Sequence, residues 1–287
     1  MGLLTPIKAN KAYRLQQKGQ RAEALKLYEE VFSEGMNEPR YVLAYALLMI
    51  RDGQYQKAKE FLVKHQKAPG MTPEQRNTLF VDYAACCFRL GDIDKGINTL
   101  EQQARKTETG LIYQTLGYLY VEKYDAANKP AFDEPEEGEA PADAADGDPA
   151  GDEAAEKAEP ADGARPEGEP LSPAEAWDAG VKKAEEFIKK SLEYDDADAI
   201  CLDNMGQFLY RVRGDKEAAK PWFEKAIAIK DKQIDTLYFL SRYDEEAGDR
   251  DAALDKLETA AGGRFSPLNY CDRETILKEI ERLKGAN

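Results

Sequence analysis

The chain has 287 residues, of which 42% are hydrophobic, enough to bury a substantial core, and its net charge is -15. That charge is local: residues 125–171, DAANKPAFDEPEEGEAPADAADGDPAGDEAAEKAEPADGARPEGEPL, hold 16 acidic and three basic residues, leaving 39 acidic and 37 basic elsewhere. A near-neutral body beside an acidic tract has no basic footprint, which argues against nucleic acid and anionic membranes as partners.

From the N-terminus, amphipathic runs recur behind a glycine: KGQRAEALKLYEEVF, DGQYQKAKEFLVKH, LGDIDKGINTLEQQ, RGDKEAAKPWFEKAI and AGDRDAALDKLETAA. Their glycines are Gly19, Gly53, Gly91, Gly214 and Gly248, and the intervals 19–53 and 214–248 are both 34 residues, a helix-turn-helix period. Five residues after each glycine stands a small residue (Ala24, Ala58, Gly96, Ala219, Ala253), and nine after it a large apolar one (Tyr28, Leu62, Leu100, Phe223, Leu257). Seven before it stand Ala12, Ala46, Ala84 and Ser241, with Gly206 taking that role one residue out of step. Small residues at matched places let two helix axes approach, and the large ones fill the space beside the crossing.

With these spacings the chain resembles the tetratricopeptide repeat family. Tyr113-x-x-Leu116-Gly117-x-x-Tyr120 repeats its W-x-x-L-G-x-x-Y signature with Tyr for the first aromatic, and Ala219-x-x-x-Phe223 and Ala24-x-x-x-Tyr28 match its second helix. The resemblance covers most of residues 5–262 and implies an all-α, right-handed superhelical array of about six helix pairs. Gly96, His65, Gln103 and Asp244 depart from the pattern, the first in helix strength, the next two at usually small packing positions and the last on a usually apolar face.

Gly91 and Gly214 are 123 residues apart and must enclose one further repeat. Its first helix holds Tyr113 to Tyr120, with the turn expected near Tyr124, whereas Ala184, Ile188 and Ser191, counted backward as a second helix, put the same turn near Ala179. The acidic stretch is therefore expected between the two helices of repeat four. Its composition cannot bury enough apolar surface to offset ordering entropy, so disorder is expected. The expected organisation is residues 1–124 for repeats one to three and the first helix of repeat four, 125–171 for the insertion, 172–262 for the second helix of repeat four and repeats five and six, and 263–287 for a capping helix. Ser172-Pro173-Ala174-Glu175 reads as a capping box, as does Thr72-Pro73-Glu74-Gln75 before repeat three.

No phosphate loop, nucleophile elbow or metal-spaced ligand set appears, so no catalytic residue, cofactor or metal is expected. His65, the only histidine, falls where the array packs. The carboxylates of residues 125–171 lack the regular spacing of a calcium loop. Cys86, Cys87, Cys201 and Cys271 form no CxxC, and adjacent helical cysteines point about 100° apart, so reduced, buried thiols are expected. The N-terminus MGLLTPIKANKAY has no apolar run of signal length, and Pro6 stands where a myristoylation signal needs Ser or Thr. No stretch approaches the roughly 20 apolar residues of a membrane span, so a cytoplasmic protein is expected.

In the family the first helix of each repeat lines the concave face. The resemblance thus implies inward positions at Tyr13 and Gln17, Leu47 and Arg51, Ala85 and Arg89, Tyr118 and Glu122, Gln207 and Arg211, Arg242 and Glu246. Of these, Tyr13, Leu47, Arg51, Arg89, Tyr118, Gln207, Arg211 and Arg242 are the candidate partner-binding residues. Arg51, Arg89 and Arg211 make a spaced basic row, although exposed arginines on helices are also common. One specialised form of the family grips a chaperone's C-terminal carboxylate with lysine and asparagine, where this chain has Ala9 and Tyr13. The expected function is a non-enzymatic scaffold that binds a protein or peptide in its groove. A self-associating structural unit and a regulatory domain of an enzyme are the alternatives. The acidic stretch could also reach the arginine row within the same molecule.

Overall fold

A computed structural model describes residues 2, 4–132 and 170–285. Among the described residues the regular structure is entirely helical. Six antiparallel pairs follow one another: α1 (Thr5–Gln17) with α2 (Arg21–Ser33), α3 (Pro39–Arg51) with α4 (Tyr55–His65), α5 (Pro73–Arg89) with α6 (Ile93–Ala104), α7 (Gly110–Lys123) with α8 (Pro173–Tyr194), α9 (Ala199–Gln207) with α10 (Lys216–Ile229), and α11 (Ile234–Glu246) with α12 (Arg250–Ala261). A final helix, α13 (Arg273–Gly285), buries Ile276, Ile280 and Leu283 against α12. This is the all-α array of about six helix pairs with a terminal capping helix that the resemblance implies.

The repeating residues do the repeating work. Ala12, Ala24, Ala46, Ala58, Ala84, Ala219 and Ala253 are fully buried, as are Tyr28, Leu62, Leu100 and Phe223. At Gly206 and Gly117 a Cβ would meet the Phe223 ring at 2.6 Å and the Ile188 side chain at 2.7 Å, so glycine sets the helix separation there. Replacing Ala219 by Leu should destabilise the fold by about 1–3 kcal/mol, because added methylenes force a close crossing apart. Ala197→Leu, at an exposed connection, should change the melting temperature little. Equal melting of the two variants would refute the packing assignment.

The turns share one hydrogen-bond pattern, with one exception. The residue after the turn glycine donates to a carbonyl five residues back: Gln54 N to Met49 O at 2.9 Å, Asp92 N to Cys87 O at 2.9 Å, Asp249 N to Asp244 O at 2.8 Å. In repeat five Asp215 N instead reaches six back, to Leu209 O at 2.9 Å, because Phe208–Val212 is wound as a π turn. The extra residue is why Gly206 stands one position out of step. The polar departures are also satisfied: His65 Nδ1 lies 2.8 Å from Asn37 Oδ1, and Gln103 Nε2 donates to Asn77 Oδ1 at 3.0 Å. Asp244 accepts from Lys256 Nζ at 2.5 Å. All four cysteines are buried.

Both flanks of the acidic stretch belong to one helix pair, α7 and α8. Tyr113 and Phe187 stack across it at 6.0 Å, and Glu101 of α6 accepts from Tyr120 of α7 and Lys183 of α8. Both capping boxes, at Ser172 and Thr72, are formed. Residues 133–169, for which disorder was expected, lie outside the described residues. The folded chain does run past the expected boundary at 124. Ala126–Asn128 make a 3-10 turn, and Asp125 is anchored by an ion pair with Arg211.

Candidate functional site

The C-terminal segment between α12 and α13, residues 262–272, crosses the inner face of the later repeats. Arg89, at the end of α5, donates through Nε to the Pro267 carbonyl at 2.6 Å and through Nη2 to the Asn269 carbonyl at 3.1 Å. Buried Asp235, in the first turn of α11, accepts from Asn269 Nδ2 at 2.9 Å, Tyr270 N at 3.1 Å and Cys271 N at 3.4 Å. The Tyr270 ring stacks on Phe239 at 5.2 Å and lies 4.0 Å from the Arg211 guanidinium. The segment is thus a strap fastened by carbonyls, backbone amides and one aromatic ring.

The strap divides the candidate residues into two groups. In the C-terminal half, Arg211 is only 8% exposed: it ion-pairs with Glu122 at 2.6 Å and Asp125 at 2.8 Å, and donates to Gln207 Oε1 at 2.8 Å. Burial works against its charge, but Glu122 and then Asp125 hold its pKa above the ordinary arginine value. Gln207 is buried and donates to Asp203, and Tyr118 is buried beneath the strap. Arg242 pairs with Glu279 of α13 at 2.9 Å and with Glu245 at 3.2 Å, and donates to the Tyr238 hydroxyl at 2.6 Å. Gln207 and Arg211 are therefore internal supports, Tyr118 lines a cavity under the strap, and none of the three stands on the open inner face. The reason is tertiary, since α13 and the strap cover a face that each repeat would otherwise expose.

In the N-terminal half the face is open. Tyr13, Leu47 and Arg51 line a groove of about 470 Å³ together with Arg40, Asp82 and Arg264. The Arg40 guanidinium lies 4.4 Å from the centre of the Tyr13 ring. Half-buried Arg51 has no hydrogen-bond or ion-pair partner among the described residues; burial, then Arg264 and Arg21, lower its pKa. Burial pushes the carboxyl of Asp82 up to about 7, against the pull of Arg51. The basic row thus reduces to Arg51, reinforced by Arg264 from the strap.

Arg264, Asp203, Asp235 and Tyr270 escaped the sequence reading. The signal available was Phe265, Pro267, Leu268, Tyr270 and Cys271 in a connection that should be polar if it only linked two helices. Among the described residues no cluster of His, Cys, Asp and Glu is arranged to hold a metal, and no helix is long and apolar enough to cross a membrane.

The family model for anaphase-promoting complex, cyclosome, subunit 3 matches residues 17–103. No curated protein sequence matches the chain. Among solved structures, the chain is similar to a thermophilic TPR protein of Thermus thermophilus, TTC0263, at 13% identity and TM-score 0.56, covering 86% of this chain and 99% of that one. PilW, a widely conserved type IV pilus biogenesis factor, is similar at 13% identity and TM-score 0.55, covering 96% of this chain and all (100%) of that one. A chain of the APC/C hetero-tetramer Cut9-Hcn1 is similar at 14% identity and TM-score 0.57, over 94% of this chain but only 41% of that one. At such identities the likeness establishes the fold.

Proposed function

We propose that this chain, a tetratricopeptide repeat protein by motif and fold, is a non-enzymatic interaction scaffold that takes a partner segment in the open groove of its first three repeats. The observation that carries the reading is the contrast along one row of inner positions. Arg89, Arg211 and Arg242 are committed to the chain's own groups, whereas Arg51 is half-buried and, among the described residues, unpaired, beside a second arginine unpaired among them, Arg264. A carboxylate brought there meets two guanidinium groups and relieves their mutual repulsion. Leu47 and the Tyr13 face offer apolar contact alongside, so the fitting partner is an extended segment with acidic and apolar residues at neighbouring positions. The Cut9-Hcn1 complex and the subunit family named above are proteins of assemblies, which agrees with a scaffold role. The chain's own acidic stretch has the same chemistry and would compete for Arg51, although Arg89 and Arg211 are already occupied.

The test is affinity capture with the intact chain, an Arg51→Glu, Arg264→Glu variant and a Lys64→Glu control on an outer helix face. Proteins held by wild type and control should be lost from the double variant while its helical circular dichroism is unchanged. Capture that is indifferent to the double variant would overturn the groove assignment. Truncating 133–169 should raise capture if the acidic stretch competes.

A further inference from the structure

Beneath the strap lies a second cavity, of about 580 Å³, within the range of small-molecule sites. Its wall is apolar, with Val81, Ile234 and Leu268, and its floor holds two buried carboxylates, Asp203 and Asp235, which are 2% and 3% exposed. Among the described residues every hydrogen bond they accept comes from a neutral donor: Gln207 Nε2 and Thr236 Oγ1, both at 2.6 Å, for Asp203, and Asn269 with two backbone amides for Asp235. The nearby Arg211 spends its guanidinium on Glu122, Asp125 and Gln207. A buried carboxylate without a cation is costly, and two repel each other.

A second, independent feature points the same way. Tyr118, 5% exposed and lining this cavity, carries the one buried side-chain oxygen or nitrogen among the described residues with no hydrogen-bond partner. The mouth has the opposite sign, since the exposed Lys230, Lys232 and Arg264 line it. No third ligand stands with the carboxylates at metal spacing among the described residues.

From these contacts we infer that the cavity binds a bipolar organic ligand, an ammonium or guanidinium group inward on Asp203, Asp235 and the Tyr118 hydroxyl, and a carboxylate outward on Lys230, Lys232 and Arg264. A basic amino acid has this form, whether free or as the last residue of a peptide. The alkyl chain between its charged ends lies along Val81, Ile234 and Leu268. The site shares Arg264 with the open groove but not Arg51, so Arg51→Glu alone should leave it unchanged.

The experiment is calorimetric titration of the full chain at pH 8, where both carboxyls are ionised, with L-arginine, with L-citrulline as its neutral isostere, and with the tripeptide Gly-Gly-Arg. L-arginine should give saturable heat, and citrulline should bind at least about tenfold more weakly, since hydrogen bonds to charged groups are worth more than neutral ones. Ile200→Trp, which fills the mouth from a position 39% exposed, should abolish binding without disturbing the carboxylate network. Tyr118→Phe, which loses no internal hydrogen bond, should weaken it. Lys230→Gln with Lys232→Gln should weaken L-arginine but not n-butylguanidinium, which has no carboxylate. Stronger binding of Gly-Gly-Arg would identify a chain end as the source, and stronger binding of L-arginine a free amino acid. Absence of saturable heat from both, or equal affinity for citrulline, would overturn the inference.

Discussion

Arg211→Ala should lower the stability of the protein by about 3–5 kcal/mol, the usual cost of removing one member of a buried ion-pair network. Glu122, Asp125 and Gln207 would each lose a partner, and the Tyr270 ring would lose the guanidinium 4.0 Å from its centre. In a chain of this size that corresponds to a fall in melting temperature of roughly 6–20 °C, at 2–4 °C per kcal/mol. Arg51→Ala, at the matching inner position of repeat two, has no such partner to abandon and should stay within about 0.5 kcal/mol of wild type. Thermal melts of the two variants side by side decide the matter, because similar melting would mean that Arg211 is as free as Arg51. The loss should be accompanied by loosening of the strap, read as faster hydrogen exchange at the amides of Tyr270 and Cys271.

The protein should become less stable as the pH rises from 5 to 8. Burial pushes the carboxyl of Asp203 up to about 7, with Asp235 adding to the effect, and burial also raises Asp235 itself. An unfolded Asp titrates near about 3.9. Between these values the folded state holds protons that the unfolded state has released, so the contribution is fully present below the unfolded pKa and is lost as pH rises through the folded one. The expected loss is on the order of a few kcal/mol. Asp82 acts with the same sign. His65 opposes it, because burial lowers its pKa and its neutral form is favoured as the pH rises toward the ordinary histidine value. Below the ordinary carboxylate range Glu34 and Glu245, whose pKa values are lowered by Lys8 and Arg282, reverse the trend. Urea unfolding of wild type and Asp203→Asn at pH 5 and 8 tests this. The variant should be less stable at pH 5, by about 1 kcal/mol for the lost Gln207 hydrogen bond, and the gap should close or reverse by pH 8. A gap of constant size would show that Asp203 is ionised throughout.

Much of the array was legible because its physics is local. A glycine that ends a helix, an alanine five residues later and a large apolar residue nine later specify a turn, a close crossing and a filled gap, and repetition multiplies the signal. Even the π turn left a trace, the displacement of Gly206. The candidate groove was legible only in part. Tyr13, Leu47 and Arg51 line an open surface as repeat position implies, but Arg211 and Gln207 occupy equivalent positions and are buried. The repeat pattern states which way a side chain points and is silent on what lies in front of it.

The sequence by itself determined the helix pairs and their register, since each follows from contacts between neighbours along the chain. Only the tertiary structure decided which half of the inner face is open. That depends on residues 262–272 returning to Arg89, a hydrogen bond spanning 178 positions, and to Arg211 through Tyr270. Contacts at that separation have no period to announce them. They are selected by the stacking of the Tyr270 ring on Phe239, by the partial burial of Leu268 and by the need of Asp235 and Arg89 for partners, conditions that exist only once the repeats have stacked.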